Sequence, residues 1–326
     1  MNSATLIRRR LLGAIPVLAI VVVGTFFLLE AAPGDAVDAY LVSTGGADSD
    51  LVAALRTQWG LDQSITARLG LYLWALAHGD LGWSVTFSRP VLDIVLERLP
   101  NTLMLMTAAT ALSFILGSAL GIVAGARPGG WRDRILSTTS LALYALPGFW
   151  LGLVLAIIFS VQLRWLPLAG IETIASGKTG LARTADIAAH LILPVASLGL
   201  IYLALYLRVM RAGMAEVWRQ DFVRALRARG LARRTIVGHV VRNALLPLIT
   251  MLGVQSAAML GGSIVIESVF SIPGFGRLAQ EAVASRDTPL LLGVILVGAV
   301  LVILINLTVD LAYAWLDPRI GQGETA

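Results

Sequence analysis

Residues able to ionise, ligate or attack are few in this sequence and poorly grouped. It has no cysteine and three histidines, His78, His190 and His239. The missing cysteines exclude disulfides, thiolate chemistry and Cys-based metal sites, and the histidines are too far apart in sequence to suggest a shared metal. Gly177-Lys178-Thr179 invites a phosphate-loop reading. That motif needs a glycine five residues earlier, where Glu172 stands, and a strand before it. The tripeptide therefore reads as a chance match. Glu267, with Ser268 and Ser271 close by, is open to two readings: lining an external gate, or simple solvation at the membrane interface. Asn306 and Asp310 share a helix face four residues apart, which favours helix–helix hydrogen bonding or interface exposure over chemistry.

The densest charge lies in RQDFVRALRARGLARR, residues 219–234, with six arginines in sixteen positions. Plotted at about 100° per residue over 217–229, Val217, Trp218, Phe222, Ala225, Leu226 and Ala228 fall on one half of the wheel. Gln220, Arg224 and Arg227 fall on the other, and Arg229 intrudes on the apolar half. Gly230 follows, where a helix C-terminus favours a residue free to adopt positive φ. This predicts a short amphipathic helix, then a second basic helical stretch leading to Leu245-Leu246-Pro247. Such a helix can lie in lipid headgroups or dock in a groove on a partner, and the residues alone leave both open. Nucleic acid is a poor third reading, because no aromatic interleaving or folded basic domain accompanies the charge.

The elements that would carry these residues are membrane spans. The 326-residue chain is 57% apolar and 14% charged, with a mean hydropathy of +0.81. A hydrocarbon core about 30 Å thick needs roughly 20 helical residues. Six windows qualify: 11–30, 102–125, 136–160, 189–207, 244–268 and 290–316. The fold class is an all-α membrane protein with six transmembrane helices. The first window follows Arg8, Arg9 and Arg10, as a signal peptide would, but its apolar stretch exceeds the roughly 7–15 residues of a signal core. It reads as an uncleaved span. Pro147 and Pro194 are expected to kink the third and fourth spans.

Arginine placement predicts orientation. With the N-terminus inside, segments 1–10, 126–135, 208–243 and 317–326 hold 16 of the 25 Lys and Arg in 66 residues. The outside segments 31–98, 161–189 and 270–289 hold 9 in 117. Both termini and the arginine-rich stretch are therefore expected in the cytoplasm, which accounts for the net charge of +5 without a nucleic-acid partner. The external 31–98 segment, with helical patterns near 50–58 and 64–78, is long enough to be a lid or a contact surface.

The run FVRALRARGLARRTIVGHVVRNALLP (222–247) resembles the cytoplasmic "EAA" loop of ABC-importer permeases, in the form found in the dipeptide/oligopeptide/nickel family. EAAPGDA (30–36), QWGLDQ (58–63), GDLGWS (79–84), ESVFSIPGFGRL (267–278), RDTPLLLG (286–293) and NLTVDLAYAWLDPRI (306–320) resemble further blocks of that family, in order along nearly the whole chain. The FSIPGFG version resembles the B-type permease. The triplet matches Arg224-Ala225-Leu226 and the glycine Gly230, with Arg and Leu standing where the generic motif has Glu and Ala.

The resemblance implies a type I ABC importer transmembrane domain. Residues 1–100 would form the N-terminal span and external segment, and 101–326 the core with coupling loop 208–243. Trp218, Asp221, Phe222, Arg224, Ala225, Leu226 and Gly230 would form the ATPase-docking coupling helix. Gly253, Gly261, Gly262 and Glu267 would be candidates for the translocation path. The implied partners are a homologous C-type permease in a heterodimer, two cytoplasmic ATPase subunits, an external substrate-binding protein and the lipid bilayer. No cofactor is expected in this chain, with ATP and Mg in the partner ATPases, and no enzymatic chemistry of its own. The function implied is multi-pass import across the cytoplasmic (inner) membrane of di- or oligopeptides, or a related small solute, by alternating access. An ion-coupled secondary transporter is the alternative, and the nearly charge-free first four windows speak against it.

Overall fold

The computed structural model describes residues 3–31, 37, 52, 57 and 62–316, and these are mainly helical. Helix α1 is Ser3–Glu30 and α2 is Ile65–Ala77, the second of the two helices expected in the 31–98 segment. The first, near 50–58, lies outside the described residues, as do most of the 30–36 and 58–63 blocks and the final DPRI. A minimal antiparallel hairpin follows, β1 (Trp83–Ser84) against β2 (Arg89–Pro90), pairing Trp83 with Pro90 and Ser84 with Arg89. Then come α3 (Val91–Gly125), α4 (Trp131–Ala145) and α5 (Gly148–Ala156), the last continued by a π-helical turn to Gln162. The chain continues with α6 (Gly180–Val217), α7 (Asp221–Ala228), α8 (Arg233–Val269), α9 (Phe275–Ala284) and α10 (Thr288–Leu316).

Helices α1, α3, α6, α8 and α10 are long and apolar enough to cross a bilayer. The sixth expected span is α4 with α5, a pair bent by 99°. Its break is at Leu146-Pro147, both in extended conformation. Proline has no N–H to continue the helix, and its ring pushes the preceding residue out of the helical region. Pro194 does not interrupt its span: α6 runs as continuous helix through it from Gly180 to Val217.

The chain divides into two compact units. One joins the described residues up to Pro100 to Gly274–Leu307; the other comprises Asn101–Pro273 and the described residues from Thr308. Residues 274–307 thus group with the described residues up to Pro100. In that unit Arg68 bonds Glu30 at 2.6 Å and Tyr72 stacks on Phe26 at 6.2 Å, joining α2 to α1. Asp287 is 1% exposed. It accepts from Ser84 Oγ at 2.6 Å, from the Thr86 amide at 2.9 Å and from the Leu290 amide at 3.1 Å. The last of these caps the first turn of α10. So GDLGWS and RDTPLLLG, 203 residues apart at the Ser84–Asp287 bond, meet at one carboxylate.

The second unit is built around α6. Gly117, Gly121 and Gly125 recur every four residues along one face of α3, and that face lies directly on α6. A Cβ on Gly117 would stand 2.8 Å from the Leu203 carbonyl, on Gly121 2.6 Å from Met210 Cβ, and on Gly125 2.8 Å from Met214 Cβ. Helices in lipid associate through such close packing, because no hydrophobic driving force separates them from the tails. Tyr206 is fully buried behind this seam, edge-on to Phe114 at 5.5 Å. On α8, Gly213 of α6 approaches Ala244, and Gly253 lies against Val309 of α10. Gly121→Ala is expected to cost about 1–3 kcal/mol through overpacking, seen as a lower unfolding midpoint in detergent. Gly261→Ala, with nothing within 4 Å of the added methyl, should leave that midpoint unchanged.

Candidate functional site

The arginine-rich stretch folds as a helix held between two extended shafts. The apolar window ends at residue 207, yet α6 continues to Val217. The next window begins at 244, yet α8 starts at Arg233. About ten helical residues on each side, at about 1.5 Å apiece, carry α7 some 15 Å past the apolar windows. Within the cytoplasmic segment 208–243, the short helix and the basic helical stretch expected after it are present, and α6 adds ten further helical residues before them.

Helix α7 begins at Asp221, not at Val217. A turn through Trp218, Arg219 and Gln220 separates it from α6, with the Gln220 amide bonded to the Val217 carbonyl at 3.1 Å. This shifts the wheel derived from an unbroken helix. Val223, which that wheel did not single out, is fully buried among Met210, Met214, Val217, Ile236 and Val240 of the two shafts. Phe222, Leu226 and Trp218 are half-buried against the same cluster. Ala225 and Ala228, placed by the wheel on the apolar half, are exposed together with Asp221, Arg224 and Arg227. The free face of α7 is thus small and charged, and its apolar face is covered by the chain itself.

The helix ends in a Schellman motif: Leu231 N–H donates to the Leu226 carbonyl at 3.3 Å and Gly230 N–H to that of Arg227 at 2.9 Å. Gly230 has φ +73°, with open space where a Cβ would be. Its requirement is conformational, not steric. The Asp221–Arg224 ion pair at 3.2 Å is exposed and contributes little.

Two hydrogen bonds join this segment to α3. Trp218 Nε1 donates to the Gly125 carbonyl at 2.8 Å, and Arg233 Nη2 donates to that of Ala126 at 2.9 Å. The guanidinium groups of Arg227 and Arg233 lie 5.3 and 6.0 Å from the Trp218 ring centre. Nearby, Asp133 at the start of α4 is 2% exposed and forms a two-point pair with Arg211 of α6. The Gly129 amide also donates to it, at 2.8 Å.

The candidate path residues do not share one environment. Gly253 is buried, where its Cβ would sit 2.5 Å from Val309 Cγ1. Gly262 faces Leu198 and Tyr202, and Gly261 faces open space. Glu267 is fully buried and accepts from Thr102 Oγ1 at 2.6 Å, so it is not solvated at an interface. Gly261 belongs instead to an exposed stripe along α8 formed by Thr250, Val254, Ala258, Gly261, Val265 and Ser268. The three-to-four-residue spacing of these mostly small residues was the signal available in the sequence. Lys178 of the GKT tripeptide is engaged with Asp186 at 2.5 Å, in a loop preceding α6.

Residues 117–322 match the family described as binding-protein-dependent transport system inner membrane component, and residues 4–106 match its N-terminal region. The chain belongs to this family. It is accordingly a multi-pass inner-membrane permease component. It is 37% identical over 97% of its length to a Brucella abortus (strain 2308) protein, covering 98% of that relative, whose name assigns it to a peptide transport system as a permease. It is 38% identical to the glutathione transport system permease protein GsiC of Escherichia coli O6:H1, over 96% of this chain and 97% of that one. Among solved structures, the methionine ABC transporter MetNI in an inward-facing form is similar in fold. The TM-score is 0.52 at 16% identity, over 69% of this chain and 97% of that one.

Because Gly230 is held at positive φ, Gly230→Ala should cost about 1 kcal/mol and Gly230→Asn less, since Asn tolerates that region. Limited proteolysis across 226–233 reads the loosening directly: the alanine variant should be cut faster than the asparagine variant.

Proposed function

We propose that the chain is the B-type permease subunit of an ATP-driven importer for peptides or a peptide-like solute, and that α7 is the joint through which partner ATPase subunits act on it. The observation that carries this reading is the placement of α7. An amphipathic helix resting on a bilayer needs its apolar face in the interface. Here that face packs on the helix's own shafts. Headgroups extend only about 5–8 Å beyond the hydrocarbon on each side, less than the roughly 15 Å length of the shafts. A small, charged face held beyond the headgroups suits a groove on a soluble protein.

ATP and Mg2+ belong, in this reading, to two cytoplasmic ATPase subunits. A homologous C-type permease completes a heterodimer, and an external binding protein delivers the solute. Closure of the ATPases on ATP displaces α7 and turns the spans from inward- to outward-facing; hydrolysis returns them. The exposed stripe of α8 supports a path lined by small residues. The positive-inside arginines support cytoplasmic termini. The names of the peptide and glutathione permeases to which the chain is similar support the solute class, and a further relative, 36% identical and named a probable peptide ABC transporter permease, favours ATP-driven import over ion-coupled transport.

The test is capture of the ATPases by the tagged chain from membranes. Phe222 and Val223 belong to the core, so the informative substitutions are on the free face. Arg224→Glu combined with Ala225→Glu should lower capture at least about tenfold, since reversed charge at an interface costs several kcal/mol, while membrane insertion is retained. Undiminished capture by that double variant, or uptake that persists with ATP depleted and a proton gradient intact, refutes the reading.

A further inference from the structure

We infer that Trp218 and Arg233 latch the end of α3 to the coupling segment, so that Trp218 is a positioning residue carrying the displacement of α7 into α3 and not a contact to the ATPase. The inference rests on the proposed function and concerns how the joint moves the spans. Covalently, α7 is continuous with α6 and α8 alone. The carbonyls of Gly125 and Ala126 at the α3 terminus lie beyond the reach of intrahelical donors, as the last carbonyls of any helix do. Trp218 and Arg233, one from each side of α7, donate to these two groups. Arg227 of α7 itself lies over the same indole.

The latch does what the glycine seam cannot. Gly117, Gly121 and Gly125 let α3 approach α6 closely, but a glycine face carries no side-chain knob to oppose sliding along the helix axis. Directional hydrogen bonds at the end of that seam fix the axial register. The Asp133–Arg211 pair ties α4 to α6 in the same region. A push on α7 therefore reaches α3, α4, α6 and α8 together.

The absence of cysteine makes the test direct. Cysteines at Arg127, just past α3, and at Ala232, just before α8, both exposed, accept a nitroxide pair in the assembled transporter. The distance is read without nucleotide and after trapping with ATP and vanadate. With the latch intact, one distance is expected in both states. With Trp218→Phe and Arg233→Leu, which keep apolar bulk but remove both donors, the distance should differ between the states by about 2 Å, the upper end of helix shifts at an interface.

An unchanged distance in the double variant overturns the inference, and so does a change in the unsubstituted pair. Failure of the double variant to capture the ATPase overturns it as well, by placing these residues on the docking surface. Failure of the unsubstituted chain to capture any ATPase refutes the proposed function, and it registers at purification before any distance is measured.

Discussion

The close approach of α3 to α6 is the constraint on which the second unit depends. Three glycines at four-residue spacing allow it, and each would clash with a backbone or Cβ atom of α6 if it bore a side chain. Because the seam runs to Gly125, the last residue of α3, that helix ends close enough to Met214 for Trp218, four residues on, to reach the Gly125 carbonyl. A wider seam would leave both that carbonyl and the indole N–H without their partner.

Helix α7 illustrates how context overrides an amphipathic pattern. Eight residues are too few for a stable helix in isolation. Its order comes from Val223 buried between the shafts, from the Gly230 turn, and from the indole beside it. Once the apolar face is used in this way, the remaining surface is polar and small. A hydrophobic face would have invited lipid; a face of Asp221, Arg224 and Ala225 has no affinity for the hydrocarbon, and its shape and charge can select a protein surface.

Much of this was legible in the sequence, and the losses have physical causes. The six apolar windows marked the spans because lipid demands continuous apolar helix, and Gly230 marked the end of α7 because few other residues adopt its φ. The length of α6 was not legible, because hydropathy stops at the hydrocarbon boundary while helical hydrogen bonding continues through Arg208–Val217; the basic helical stretch leading to Leu245-Leu246-Pro247 was legible, and it is the start of α8 at Arg233. The buried role of Val223 was lost because the wheel was drawn through the turn at Trp218–Gln220, which rotates every later residue. Glu267 was readable as either solvated or functional, since burial beside Thr102 depends on a residue 165 positions away. Of the path glycines, Gly253 and Gly261 have opposite surroundings on one helix, a difference set by which neighbouring helix is present and not by the residue itself.

The division between chemistry and movement explains the remaining sequence features together. On the proposed reading ATP is hydrolysed in the partner subunits, and what this chain contributes is movement. Movement needs parts that do not deform when pushed. Long helices serve as the shafts, glycine seams keep them close, and ion pairs such as Asp133–Arg211 are placed where the shafts leave the apolar region. The 99° break at Leu146-Pro147 is the contrasting feature, a position where the backbone cannot transmit axial force along a single helix. On the proposed reading, the long helices beside α7 act as the lever and the bent α4–α5 pair as the part that yields.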